Sequence, residues 1–151
     1  MPPVRIQIAT RGRVGALSVS LLMLVVPSAF ADGTPFFNST QVSQGRWEYS
    51  QKCAVCHGAQ LQGGGAPALK GRQFNDQWNG KTLKALYSYV HSNMPLGQGG
   101  DLNSQEYADI VSYVLAQSGL PAGNEKLTPK APMDRALDLS AAATSGSQVP
   151  P

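Results

Sequence analysis

The residues able to do chemistry cluster in one place. Cys53-Ala54-Val55-Cys56-His57 holds the chain's only two cysteines and one of its two histidines. A disulfide between Cys53 and Cys56 would close a very small loop, where cross-linking gains little because its benefit grows with loop length. A thioredoxin-like redox C-x-x-C opens a helix in a βαβ setting, and no such pattern surrounds this one. Structural zinc needs four ligands, and beyond these three only His91 is left to serve. C-x-x-C-H is instead specific for covalent attachment of a c-type haem. Two thiols three positions apart lie on adjacent turns and can each form a thioether to a haem vinyl group. The histidine that follows then faces the iron as its proximal ligand. For the opposite side of the iron the sequence offers Met94 and His91. Met133 lies further out toward the C-terminus.

These residues need elements to hold them. Gln41 to Lys52 has helical character, with Val42, Gly45, Trp47, Tyr49 and the following Cys53 recurring near helical spacing. Gly58 to Gly80, with Gly63-Gly64-Gly65 and Pro67, reads as a long loop, and a loop of that length in a small domain wraps around something. Leu83, Leu86, Tyr87 and Val90 form an apolar stripe on a helix over Thr82–Ser92, which Met94-Pro95 ends. Leu96 to Leu102 is a second glycine-rich loop. The last helix runs from about Gln105 to Gln117, with Asn103 or Ser104 as N-cap and Gly119 and Pro121 as stops. Its stripe is Tyr107, Ile110, Val111 and Val114, with Tyr113 beside it.

The packed part is therefore Gln41 to Leu120, about 80 residues. A domain of that size buries only about 60% of its unfolded surface and is marginal without help. A haem, a large apolar disc, would complete its core. Residues 32–40 read as an irregular lead-in. Residues 121–151 turn to Pro, Ala, Ser and Gly without sustained periodicity and read as a flexible tail, in which Met133 to Leu139 could dock weakly.

The N-terminus reads as an address. Arg5, Arg11 and Arg13 precede an apolar run, Val14 to Val26, that Pro27 breaks before Ala29-Phe30-Ala31. Thirteen helical residues span about 20 Å, short of the ~30 Å hydrocarbon core, so a cleaved signal peptide over 1–31 fits better than an anchor. The expected mature protein is periplasmic, with no membrane span, and c-type haem attachment takes place on that side of the membrane. Those three arginines also account for the whole formal charge of +3. The remaining nine basic residues balance nine acidic ones, which excludes nucleic acid as a partner on charge grounds.

With these features in place, residues 41–120 resemble the class I c-type cytochromes. Gly45 and Tyr49 stand where that family has a glycine and an aromatic on its N-terminal helix, and Ile110 and Tyr113 match their partners on the last helix. The resemblance implies an all-α cytochrome c fold, three to four helices wrapped around one haem c attached through Cys53 and Cys56. It implies His57 and Met94 as axial ligands, because Asn93-Met94-Pro95 matches the family's distal methionine loop. It implies that the carbonyl of Pro67, in Ala66-Pro67-Ala68-Leu69, accepts the Nδ1 hydrogen bond of His57. It also makes Trp78 and Arg72 candidate neighbours of the haem propionates. A looser likeness, carried by CHGAQLQGGGAPALKG, Phe74, Trp78 and MPLG, is to cytochromes associated with periplasmic quinoprotein dehydrogenases.

An iron with both axial positions filled suits outer-sphere electron transfer and works against substrate chemistry. The expected protein is a carrier, not an enzyme, taking single electrons from a periplasmic dehydrogenase to an oxidase or another cytochrome. It would act as a monomer or in transient complexes. Arg46, Lys52, Lys70, Arg72, Lys81 and Lys84 face only Glu48 and Asp76 in the first part of the domain, an excess that would steer it toward an acidic partner. Two other readings stand beside this one: a permanent cytochrome subunit of a dehydrogenase or oxidase complex, and a gas-binding haem protein should Met94 not ligate.

Overall fold

A computed structural model describes residues 35–130 and 133–140. The expected signal peptide 1–31, the start of the lead-in and the end of the tail lie outside the described residues. Five helices follow in order: α1 (Ser39–Lys52), α2 (Ala54–His57), α3 (Arg72–Trp78), α4 (Leu83–Asn93) and α5 (Ser104–Gln117). The fold is all-α. Among the described residues the β-type pairing consists of two isolated bridges, Asn38 with Gly123 and Thr82 with Ala136.

Local chemistry sets the helix ends. Asn38 caps α1 by accepting from the Gln41 backbone N–H at 3.0 Å, and Thr82 caps α4 by accepting from Ala85 at 3.2 Å. At α5 a full capping box forms: Asn103 accepts from Gln105 and Glu106, while the Glu106 carboxylate accepts from the Asn103 N–H at 2.7 Å. Two helices were not expected from periodicity. α2 is a single turn, and α3 lies inside the stretch read as one long loop. Both are too short for an apolar stripe to repeat, which is why the sequence pattern passes over them.

α1 and α5 make the most extensive helix contact, with α4 packed beside α5. Their crossing is close at Gly45. A Cβ added there would stand 1.8 Å from the Asp109 carbonyl oxygen and 2.4 Å from its carbonyl carbon. One turn on, Tyr49 meets Tyr113 with ring centroids 5.4 Å apart.

The expectation of a flexible tail from residue 121 needs correction for its described part. Leu127, Leu137 and Leu139 are fully buried and Met133 nearly so. Gly123 donates to the Phe37 carbonyl at 2.8 Å. The Gln41 side chain then grips Leu127 by its backbone, donating to its carbonyl at 2.9 Å and accepting from its N–H at 2.7 Å. Further on, the carbonyls of Arg135 and Met133 accept from Leu83 and Lys84 at 3.0 and 2.8 Å. They satisfy N–H groups in the first turn of α4 that no intrahelical partner can reach. The Leu137 N–H donates to Lys81 and its carbonyl accepts from Gly80, and Leu139 donates to the Asn79 side chain. The segment is a strap, and the packed unit extends at least to Leu139. Sparse, non-periodic leucines held by backbone pairing leave no amphipathic signature.

The lead-in is likewise tied down where it is described. Phe36 and Phe37 are buried, and the Arg135 guanidinium lies 4.0 Å from the Phe36 ring centroid.

Two expectations follow for stability. Gly45→Ala forces a methyl into helix backbone and should cost about 3 kcal/mol or more, at the upper end of overpacking effects, seen as a lowered Tm. Glu48 is buried on α1, and its Oε2 has no hydrogen-bond partner among the described residues. Burial raises its pKa above the ordinary 4.5, the Gln44 amide opposes this, and the Asp109 and Glu106 carboxylates add to it. The fold therefore favours the neutral acid. That contribution is complete below the ordinary value and is lost as pH rises through the raised one. Glu48→Gln should raise Tm at pH 7, and the advantage should vanish as the pH falls below about 4, where the unfolded-state carboxyl is also protonated.

Candidate functional site

The C-x-x-C-H segment forms the turn between α1 and the following loop. α1 ends at Cys53, whose N–H donates to Tyr49 at 2.9 Å, and α2 begins at once. His57 donates its backbone N–H to Cys53 at 2.9 Å, and Gly58, at φ 81°, turns the chain out of the helix. That φ lies in the left-handed region, where glycine carries no Cβ penalty. The Tyr49 hydroxyl donates to the Gly58 carbonyl at 2.6 Å and so fastens this turn to α1.

The glycine-rich loop folds back over the same turn. Ala66 donates to the Cys56 carbonyl at 3.0 Å and Gly63 to the His57 carbonyl at 2.8 Å, while buried Leu61 pairs with Leu69. This delivers Pro67 to His57, whose Nδ1 lies 2.7 Å from the Pro67 carbonyl oxygen. A carbonyl only accepts, so Nδ1 carries a proton, which in the neutral tautomer leaves the lone pair on Nε2. His57 is 7% exposed, which fixes an imidazole with one free nitrogen in a largely dry setting.

Both thiols are free. Cys56 is exposed and Cys53 half-buried, and burial raises the Cys53 thiol to about 11, with the Cys56 sulfur adding to the effect. Among the described residues no group of three or more His, Cys, Asp or Glu side chains could hold a metal ion, so the tetrahedral zinc alternative lacks a site. With no strand in the described chain, the βαβ setting of a thioredoxin motif is absent too.

Met94 is the residue that ends α4, half-buried, with its backbone N–H on Val90. Its carbonyl accepts from the Tyr107 hydroxyl at 2.7 Å, and that same hydroxyl accepts from the Gly100 N–H at 2.9 Å. One buried side chain thus pins both ends of the 94–100 loop. His91 sits between aromatic rings, 4.7 Å from Tyr107 and 5.8 Å from Tyr87. Trp78 is buried among Phe74 and Tyr89, with the Lys81 ammonium 4.9 Å from its ring. Arg72 is largely solvent-exposed and pairs with Asp76 at 3.4 Å across one helical turn.

Tyr107 was read from the sequence only as part of an apolar stripe, and Tyr49 only as a packing aromatic. A tyrosine at stripe spacing announces its ring, but nothing local says what its hydroxyl reaches.

Residues 40–114 match the family described as cytochrome c oxidase, cbb3-type, subunit III. The chain carries a class I c-type cytochrome domain. The chain is also similar to a thiosulfate dehydrogenase of Psychrobacter arcticus, 39% identical over 77 residues, which is 46% of this chain and 24% of that protein. It is also similar to a thiosulfate dehydrogenase of Stutzerimonas stutzeri, 31% identical over 80 residues, 48% of this chain and 26% of that one. The chain thus spans about a quarter of the length of these curated relatives. No solved structure matches it significantly. Such a domain implies covalently bound haem c and electron transfer to redox partners. The residues present fit that group: two cysteines four residues or fewer from an imidazole whose Nδ1 is held by a carbonyl, and a thioether side chain on an anchored loop. Among the described residues no helix is long and apolar enough to cross a membrane.

The Tyr107 anchor is testable. Tyr107→Phe keeps the ring against His91 and removes the hydroxyl, leaving the Met94 carbonyl and Gly100 N–H without their partner. It should cost about 1–3 kcal/mol. Amide exchange at Gly100 should accelerate by about tenfold or more, while exchange in the middle of α1 should change only with global stability.

Proposed function

We propose that this chain is an exported single-electron carrier holding one haem c. Cys53 and Cys56 supply the two attachment thiols, and His57 and Met94 the axial ligands. The observation that carries the reading is the His57–Pro67 hydrogen bond. It fixes the tautomer that leaves Nε2 free, and it raises the basicity of the ring as a ligand. When bound, the haem supplies one reversible one-electron couple at its iron. Met94 adds a soft thioether, which favours the ferrous state and raises the potential. Tyr107 holds the loop that presents it, and the loop from Gly58 to Gly71 holds the histidine from the other end of the chain's fold. With both axial positions taken from the protein, no site is left for a substrate at the metal. The protein then exchanges electrons without acting as an enzyme, between a periplasmic dehydrogenase and an oxidase or second cytochrome.

A second reading is favoured by the comparisons. The family is described as an oxidase subunit, and the thiosulfate dehydrogenases match over only a quarter of their length, as one module would. On this reading the chain belongs to a permanent complex, in which residues 123–130 and 133–139 keep their packing while other surface is covered by the larger partner. Co-purification that survives high salt indicates the subunit, since a steered encounter weakens as salt screens it.

The deciding measurement is the optical spectrum of the full chain expressed with haem-attachment machinery. A low-spin c-type spectrum is expected, with a weak far-red sulfur-to-iron band and no response to carbon monoxide. Met94→Ala should abolish the band and admit carbon monoxide, whereas His91→Ala should leave both unchanged. Carbon monoxide binding by the unaltered protein would move the assignment to a gas-binding haem protein, and absence of a Soret band would remove haem altogether.

A further inference from the structure

On the surface between α1, α5 and the segment just after His57 lies a depression of about 390 Å³. Its lining is Arg46, Ala59, Gln60, Lys70, Tyr113 and Gln117. The set contains two cations, two amides and a phenol, and no acid. Among the described residues neither Arg46 nor Lys70 forms a salt bridge. Tyr113 packs its ring on Tyr49, and its hydroxyl, which makes no hydrogen bond with another described residue, remains accessible at the depression. Two uncompensated cations lining the same hollow add a repulsion that an anion would relieve.

We propose that this depression binds a small ligand carrying two negative charges on oxygen, of the sulfate, phosphate or dicarboxylate kind. Arg46 offers a planar fork suited to two oxygens at once, and Lys70 neutralises the second charge as a point cation. The Tyr113 hydroxyl and the amides of Gln60 and Gln117 supply the remaining donors. Each comes from a different part of the chain: Arg46 from α1, Tyr113 and Gln117 from α5, Gln60 and Lys70 from the loop after α2. The site therefore exists only in the folded domain, and its ligand should stabilise the native state. It is independent of the electron-carrier assignment.

The test is calorimetric titration of the holoprotein with sodium sulfate and, separately, sodium malonate, at ionic strength held constant with sodium chloride. Saturable one-site binding of at least one of the two is expected, and the stronger ligand identifies a tetrahedral or a dicarboxylate preference. Arg46→Gln and Lys70→Gln should each weaken it by about tenfold or more, the range of a charge-assisted hydrogen bond. Tyr113→Phe should weaken it severalfold, whereas Lys126→Gln, an exposed position outside the depression, should not. Arg46→Gln removes only an exposed charge, so its fold is secure, and an unchanged far-ultraviolet circular dichroism spectrum and Tm confirm that for every variant. Failure of both anions to saturate, or an equal loss with Lys126→Gln, would overturn the proposal.

Discussion

The close crossing of α1 over α5 at Gly45 is the constraint on which the site depends. With hydrogen in place of a side chain, the α1 backbone can lie against the Asp109 carbonyl, where even a methyl would overlap it. That distance brings Tyr49 into contact with Tyr113 and aims the Tyr49 hydroxyl at Gly58. The C-x-x-C-H turn is thereby fixed at its start by the end of α1 and at its finish by a side chain of the same helix. Arg46, the residue after the crossing glycine, is carried toward the α5 residues Tyr113 and Gln117 by the same approach.

The two halves of the candidate metal site are held by unlike devices. His57 is oriented by backbone: the glycine-rich loop bonds back to Cys56 and His57 and so presents the Pro67 carbonyl to the ring. Met94 is held by a side chain, since the Tyr107 hydroxyl reaches both its carbonyl and the Gly100 N–H. A backbone-held ligand resists displacement because many peptide groups move together.

The strap formed by residues 123–130 and 133–139 solves a problem common to small domains. Its leucines add apolar burial that an 80-residue core lacks, and its carbonyls satisfy the first turn of α4. Gln41, itself buried, is central to this. Its amide matches both backbone groups of Leu127 while also donating to Asp109, to which Gln105 donates as well. A polar residue on a buried helix face is tolerable here because every one of those bonds is made.

Much of this was legible in the residues. C-x-x-C-H named the cofactor chemistry because only that spacing serves two thiols and an adjacent imidazole. Helical periodicity located α1, α4 and α5, and Asn103 or Ser104 marked the start of the last helix. Gly45, Tyr49, Ile110 and Tyr113 marked the helix crossing through the family they resemble. What the sequence alone determined was thus whatever depends on neighbours within a turn or two. α2 and α3 escaped because they are shorter than the period that would betray them. The strap, the Tyr107 anchor and the Arg46–Lys70 depression escaped for another reason. Each joins residues more than a dozen positions apart through a hydroxyl, an amide or a charge whose partner is chosen by where the chain returns. Composition and periodicity record how a residue meets its own element. Only the packed tertiary structure decides which distant group its polar atoms finally reach.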